Sequence, residues 1–284
     1  MKLVQRIALG YYRTKLKAIE LISPERAAKV AFQLFCTPYT RRKTYNIPAT
    51  FTRADKLTFT FQHHTIHGFQ WLPAVANGKK ALICHGFDSY SYRFERYIQP
   101  LLDAGFEVFA FDAPAHGLSS GQTITALLYK QMIVEINARY GPISSIMAHS
   151  FGSIAAVLAI EELHSSIPER LVLIAPATET TRSVTDFCRH LNISPVVKQH
   201  FEQLICNVGG NPAAWFSVAR VIQKISTPTL WLHDMEDKIT PYEDMKHLTK
   251  MNLPHVQFVI TTGLGHSLYR DEAVAKKIIT FLAE

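Results

Sequence analysis

Ser150 stands in the segment Ala148-His149-Ser150-Phe151-Gly152, between the apolar pair Ile146-Met147 and a helix-forming stretch from Ser153 to Ile160. A strand, a tight turn and a helix are the setting in which a serine hydroxyl can be lifted clear of its neighbours and handed to a general base. Strand and helix must then approach closely, which demands small flanking residues, and Ala148 and Gly152 meet that demand. Five such residues also make an ordinary strand-to-helix turn, so the pattern gains weight only from residues farther along the chain. Downstream lie Asp237, in His233-Asp234-Met235-Glu236-Asp237-Lys238-Ile239-Thr240-Pro241, and His266, in Gly263-Leu264-Gly265-His266-Ser267. A hydroxyl, an imidazole and a carboxylate together can run nucleophilic acyl transfer: the imidazole moves the proton and the carboxylate holds its tautomer.

Residues so far apart in sequence meet only if each sits on a loop after a strand, and the periodicity supplies the strands. Leu57 to Gln62 alternates apolar and polar residues, and Thr65 to Leu72 can pair with it as an antiparallel strand. Strands at 80–85, 107–111, 144–149 and 170–175 alternate with helices near 92–104 and 123–139 and with the helix after Ser150. That alternation predicts an α/β fold with a mainly parallel central sheet and helices on both faces. Between about 177 and 222 the pattern changes to two helices, Thr178 to His190 and Pro195 to Val208, before Gly209-Gly210 and Asn211-Pro212. Beyond them come strands at 229–233 and 256–261 and helices from Tyr242 to Met251 and Glu272 to Phe281. Chemistry belongs at the carboxyl ends of the parallel strands.

Five segments in this order resemble the serine α/β-hydrolase superfamily, in its single-domain esterase or lipase-like form. They are His85-Gly86-Phe87, Asp112-Ala113-Pro114-Ala115-His116-Gly117-Leu118-Ser119, the Ser150 turn, and the Asp237 and His266 segments. The resemblance covers about residues 56 to 284 and implies an α/β-hydrolase fold with a short helical cap at about 177–222. It implies Ser150 as nucleophile, His266 as base and Asp237 as acid, with the backbone N–H groups of Phe87 and Phe151 as oxyanion-hole donors. Asp234 is the rival acid, but Asp237 takes the family position, with Pro241 starting a helix four residues later. Asp112 and His116 match a segment that braces the loops, and His149 is expected to point away from Ser150. Two positions depart from the pattern: Ala148 and Asp234 replace glycines. A serine at the turn argues against the haloalkane dehalogenases and epoxide hydrolases, which use aspartate there. The implied activity is hydrolysis of a small carboxylic ester or thioester through an acyl-enzyme, with no metal and no cofactor. The alternative is a catalytically weak binding or regulatory module on the same fold.

Composition fits one such domain. The 284 residues are 48% hydrophobic and 19% charged, enough to bury an extensive core. Residues 1–55 read as an N-terminal helical extension and connector before a hydrolase domain at 56–284. Residues 1–45 hold ten basic groups against Glu20 and Glu25, a net +8 in a chain of +7, so the rest carries about −1. No aromatic and basic interleaving of the kind that binds nucleic acid is present. The extension divides into a basic amphipathic helix over 1–22 and a second helix from Pro24 to Phe35, capped by Ser23 and ended by Thr37-Pro38. The second is expected to dock on the hydrolase body; the other reading is a peripheral membrane contact, apolar residues beside basic ones suiting anionic lipid. Oligomeric state is left open. Cys36, Cys84, Cys188 and Cys206 lack C-x-x-C spacing and read as free thiols in a reducing compartment. No run approaches the ~18 apolar residues of a membrane span, and the protein reads as cytoplasmic. His63, His64 and His67 cluster without a carboxylate or cysteine at ligand spacing, which weighs against a metal site.

Overall fold

A computed structural model describes residues 3–39, 46–163 and 167–284, with Ile7 the first described side chain; Arg41-Arg42-Lys43 of the connector lie outside the described residues. The chain begins with α1 (Leu3–Glu20), α2 (Pro24–Phe35) and a single turn, α3 (Ala49–Thr52), within the connector. Ser23 caps α2 through a hydrogen bond from the Arg26 N–H at 3.2 Å, and Pro24 takes the first helical position, where its missing N–H costs nothing. Next comes a hairpin, β1 (Asp55–Phe61) and β2 (His64–Trp71), in register from Asp55 opposite Gln70 to Phe61 opposite His64.

The alternation then runs β3 (Lys80–Cys84), α4 (Glu95–Asp103), β4 (Glu107–Phe111), α5 (Ala126–Tyr140), β5 (Ser145–His149), α6 (Phe151–Glu162) and β6 (Arg170–Ile174). After β6 come α7 (Thr180–His190), α8 (Pro195–Gly209), α9 (Val218–Ile222), β7 (Thr229–Asp234), β8 (Val256–Thr261) and α10 (Glu272–Ala283). Among the described residues the sheet has eight strands in the order β1-β2-β4-β3-β5-β6-β7-β8. β2 runs antiparallel to both neighbours and all other pairs are parallel.

Successive side chains of a strand face opposite ways, so the continuous apolar runs of β3 to β7 bury both faces of the sheet. Ile83, Ala110, Met147, Val172, Ile174, Leu230 and Leu232 join a core with Tyr97, Ile98 and Leu101 of α4 and Ile278, Phe281 and Leu282 of α10. On the other face α5 packs on α6 and α6 on α9. Every residue of α6 from Gly152 to Ile160 is buried, which is why that helix carries no amphipathic stripe.

Contacts divide the described chain into two units: a body of Pro38–Thr178 with Val218–Glu284, and a helical unit of Met1–Thr37 with Glu179–Ser217. Within the helical unit α2 packs against α8, and α1 against α2. Ala27, Ala28 and Ala31 of α2 are fully buried, and Phe201 of α8 meets Phe32, Phe35 and Phe187 at 5.5–5.8 Å between ring centroids. Glu20 accepts a hydrogen bond from Ser194, and Arg13 donates from Nε to the His190 carbonyl at 2.9 Å. In the body, the Val218 N–H bonds to the Thr178 carbonyl at 2.9 Å, closing the stem from which the 179–217 insertion leaves.

One predicted element differs. Tyr242 to Met251 is not an α-helix but two short 3₁₀ turns, Tyr242–Asp244 and Leu248–Lys250. Met245 and Leu248 are both fully buried, and a spacing of three superposes side chains on a 3₁₀ path more closely than on an α-helix.

Candidate active site

Ser150 follows β5 directly and caps α6, with φ +54° and ψ −120°. A non-glycine residue held there costs of order 1–3 kcal/mol and persists only where its surroundings fix it. Here the Ser150 N–H bonds to the Ile174 carbonyl at 3.0 Å, while the Ser150 carbonyl accepts from Ser153 at 3.0 Å and Ala177 at 3.2 Å. Close packing explains both neighbouring glycines. A Cβ on Gly152 would lie 2.5 Å from the His85 carbonyl oxygen and 2.8 Å from that of Cys84; a Cβ on Gly86 would lie 3.0 Å from the Ser150 Cβ and from His149 Nδ1. Ala148, where the resembling pattern has glycine, is fully buried inside β5.

Of the two candidate carboxylates, Asp237 meets the histidine. His266 Nδ1 donates to Asp237 Oδ2 at 2.8 Å, which leaves Nε2 as the lone-pair nitrogen. Asp237 Oδ1 accepts from the Ile239 and Thr240 N–H groups at 2.8 and 3.0 Å, and Oδ2 from the Thr240 hydroxyl at 2.8 Å. Burial alone would raise this carboxyl, but the bond and charge of His266 and the Thr240 donors outweigh it and hold the pKa at about 2. Asp234 is used differently. It accepts from the Thr261 hydroxyl at 2.7 Å and from the Glu236 and Leu264 N–H groups at 2.9 and 3.0 Å, so it ties the loop before His266 to the end of β7.

His149 does more than point away from Ser150. Its Nε2 donates to the His266 carbonyl at 3.1 Å, and its ring lies 4.8 Å from those of His266 and Tyr269. Burial pushes its pKa down to about 3, so the ring is neutral, and its buried Nδ1 finds no hydrogen-bond partner among the described residues. Tyr97 holds the same loop through a 2.6 Å hydrogen bond to the Tyr269 carbonyl. Among the described residues no hydrogen bond joins Ser150 Oγ to the His266 ring; in resting sites such bonds are commonly long and tighten when substrate binds.

The segment carrying Phe87 is braced from behind. The Ala113 N–H donates to His85 Nε2 at 3.0 Å, so Nδ1 carries the proton and donates to the Gly86 carbonyl at 2.8 Å. The Asp88 N–H donates to His116 Nε2 at 3.1 Å, and Asp112 accepts from the Ser91 and Leu118 N–H groups at 2.8 and 2.9 Å. Burial pushes both His85 and His116 down to about 4, keeping them neutral acceptors. The Phe87 and Phe151 rings meet edge to face at 5.7 Å, and Phe151, as the first residue of α6, has an N–H without an intrahelical acceptor. Thr240, which sequence reasoning did not single out, touches both Asp237 and His266, the latter at 3.2 Å from Nδ1. Its only signal is the position three residues after Asp237, where a hydroxyl can reach back to a preceding carboxylate. The His63 and His64 rings lie 4.1 Å apart on the hairpin, tilted by 40°, and His67 pairs with Thr58.

The sequence model of a family described as serine aminopeptidase, S33, matches residues 77–213, which include Ser150, Phe87 and Phe151 but stop short of Asp237 and His266. Among solved structures, an esterase of Pyrococcus furiosus superposes with a TM-score of 0.64 at 16% identity, covering 87% of this chain and 98% of its own. A probable hydrolytic enzyme of Pseudomonas aeruginosa gives 0.61 at 19% identity, covering 84% and 95%. A thioesterase domain from the curacin biosynthetic pathway gives 0.60 at 16% identity, covering 81% and 99%. Strand order, the turn at Ser150 and these superpositions agree on one fold: the chain has the α/β-hydrolase fold, and its residues 77–213 match the family model.

Proposed function

We propose that the protein is a serine hydrolase that cleaves a carboxylic ester or thioester through Ser150, His266 and Asp237. The observation that carries this reading is the 2.8 Å Asp237–His266 bond beside a serine fixed at positive φ on the strand-to-helix turn. In the reaction Ser150 Oγ attacks the carbonyl carbon and passes its proton to His266 Nε2. The oxyanion that forms is held by the Phe87 and Phe151 N–H groups, each worth about 3–4 kcal/mol in the transition state. Collapse expels the alcohol or thiol, which takes the proton from His266. Water then enters and gives a proton to the same nitrogen as its oxygen attacks the acyl carbon, and collapse of that intermediate returns the proton to Ser150 Oγ as the acid leaves. Asp237, held ionised, keeps the Nδ1–H tautomer and stabilises the imidazolium at each step. An esterase and a thioesterase domain among the structural neighbours are consistent with either leaving group.

The test is labelling by a fluorophosphonate probe, which reacts with an activated serine. Wild type should label and Ser150→Ala should not, and the variant should lose about 10⁴-fold or more of any ester turnover. Equal labelling of both proteins would remove Ser150 from the mechanism. The second reading, a weakly catalytic binding module, draws on the absence of a hydrogen bond from Ser150 to His266 among the described residues and on Ala148 at the turn. It gains if the probe labels Ser150 yet no ester or thioester of any chain length turns over.

A further inference from the structure

The outer face of α1 is apolar in a pattern that the helical unit does not use. At about 100° per residue, Ile7, Tyr11, Ala18, Leu21 and Ile22 fall within one sector of the helix, shared among the described side chains only with Thr14, whose hydroxyl turns back to the Gly10 carbonyl at 3.1 Å, while buried Leu16 lies on the opposite side. Helical hydrogen bonding continues past the last assigned residue, the Leu21 N–H reaching the Lys17 carbonyl at 3.2 Å, so Leu21 keeps its place in the stripe. Exposure is high: 64% for Ile7, 60% for Tyr11, 84% for Leu21 and 80% for Ile22. Lys15 and Lys17 flank the stripe, about 20° beyond Ile22 on one side and about 40° beyond Leu21 on the other, both exposed, and the Lys15 ammonium lies 5.9 Å over the Tyr11 ring. The nearby carboxylates are taken up elsewhere. Glu20 bonds to Ser194, and Glu25 pairs with Lys29 at 2.6 Å on α2.

We propose that α1 lies flat on an anionic bilayer surface, with Ile7, Tyr11, Leu21 and Ile22 at the boundary between headgroups and acyl chains and Lys15 and Lys17 at the level of the lipid phosphates. Charge selects this occupant. A second copy of the chain would bring one +8 segment against another, whereas an anionic leaflet neutralises it. The geometry is that of an interfacial helix: an apolar stripe flanked by long cationic side chains whose methylene stems lie along it while the ammonium groups reach the phosphates. Because the stripe belongs to the helical unit and not to the Ser150 site, this attachment stands or falls independently of the hydrolase activity.

The full chain is sedimented with vesicles of phosphatidylcholine alone and of phosphatidylcholine with phosphatidylglycerol. It should pellet with the anionic vesicles only and be released as salt is raised, since attraction at an exposed surface is screened over ~8 Å at physiological ionic strength. Lys15→Gln with Lys17→Gln should weaken that binding by about thirty-fold, at roughly a tenfold change or less per cation. Ile7→Ser with Leu21→Ser and Ile22→Ser should abolish it; all three side chains are exposed, so the fold has little to lose. In Tyr11→Trp the new indole should shift its emission to the blue on anionic vesicles and be quenched by brominated acyl chains. Failure to pellet at low salt, equal binding to neutral vesicles, or an indole that brominated lipid does not quench would each overturn the proposal. So would a solution dimer that Tyr11→Ser dissociates, which would assign the stripe to a second copy.

Discussion

Asp234 and Asp237 are both buried, lie three residues apart and accept hydrogen bonds from loops at the carboxyl ends of β7 and β8, yet only Asp237 reaches an imidazole. Isosteric substitution separates their tasks. Asp237→Asn keeps the packing but no longer secures the His266 tautomer, so ester turnover should fall about 10³- to 10⁴-fold with little change in unfolding midpoint. Asp234→Asn removes the charge from three hydrogen bonds and should cost about 1–3 kcal/mol of stability, read in a urea titration, with a smaller loss of turnover. A larger kinetic loss at Asp234 than at Asp237 would reverse the assignment. At this scale residue type and order in the sequence singled out Ser150 and His266, because reactive groups must be polar and must follow strands, while the choice of Asp237 over Asp234 came from the resemblance, and the bond from His266 to Asp237 agrees with that choice. Thr240, and the bond from His149 to the His266 carbonyl, were hidden, since a supporting contact depends on the path of the loop and no residue type encodes that path.

The turn at Ser150 and the end of β3 are pressed together at two glycines, Gly152 and Gly86, and the predicted consequence is steric. Gly152→Ala would drive a methyl group to 2.5 Å from the His85 carbonyl and 2.8 Å from that of Cys84, and backbone atoms inside a sheet cannot step aside. Stability should fall by about 1–3 kcal/mol, as for other overpacked positions, and probe labelling of Ser150 should fall with it. In the helical unit, Phe201 is fully buried among Phe32, Phe35 and Phe187. Phe201→Ala should cost about 3–5 kcal/mol and expose the apolar side of α2, seen as increased binding of a hydrophobic dye. Helix α2 was legible to the residue because Ser23 and Pro24 mark its start and its apolar positions repeat at helical spacing. The 242–251 segment was not, since Met245 and Leu248 are a pair that fits either helical spacing and only their burial selects the tighter turns. The central strands, apolar throughout, could be read from length and flanking turns alone.

For the molecule as a whole, burial of neutral histidines predicts a steep response to acid. His85 and His116 are held at about 4 and His149 at about 3, each chiefly by burial, whereas in the unfolded chain such rings protonate near 6.5. Because the folded values lie below the unfolded ones, the stability these rings confer is complete above pH ~6.5 and is lost as the pH falls towards 4. Near pH 5 the unfolded chain binds about three more protons, and Asp112, raised by burial, opposes this by up to one. The free energy of unfolding should therefore drop on the order of 3 kcal/mol per pH unit there. Urea midpoints measured between pH 7 and 4.5 will show that slope; a flat profile would mean that the buried rings find room to ionise. The sequence located these histidines but not their burial, which comes only from packing the sheet edge, the turn and the loops together. The helical unit, assembled from 1–37 and 179–217, has a consequence in time. Phe35 leaves the ribosome about 150 residues before Phe187, its ring partner at 5.1 Å, a wait of roughly 10–30 s at bacterial to eukaryotic elongation rates. Throughout that interval the apolar side of α2 is synthesised but has no α8 to cover it. A nascent chain arrested just before residue 179 should thus remain protease-sensitive over its first 37 residues and retain a bound chaperone, and both properties should disappear once Gly209 has emerged.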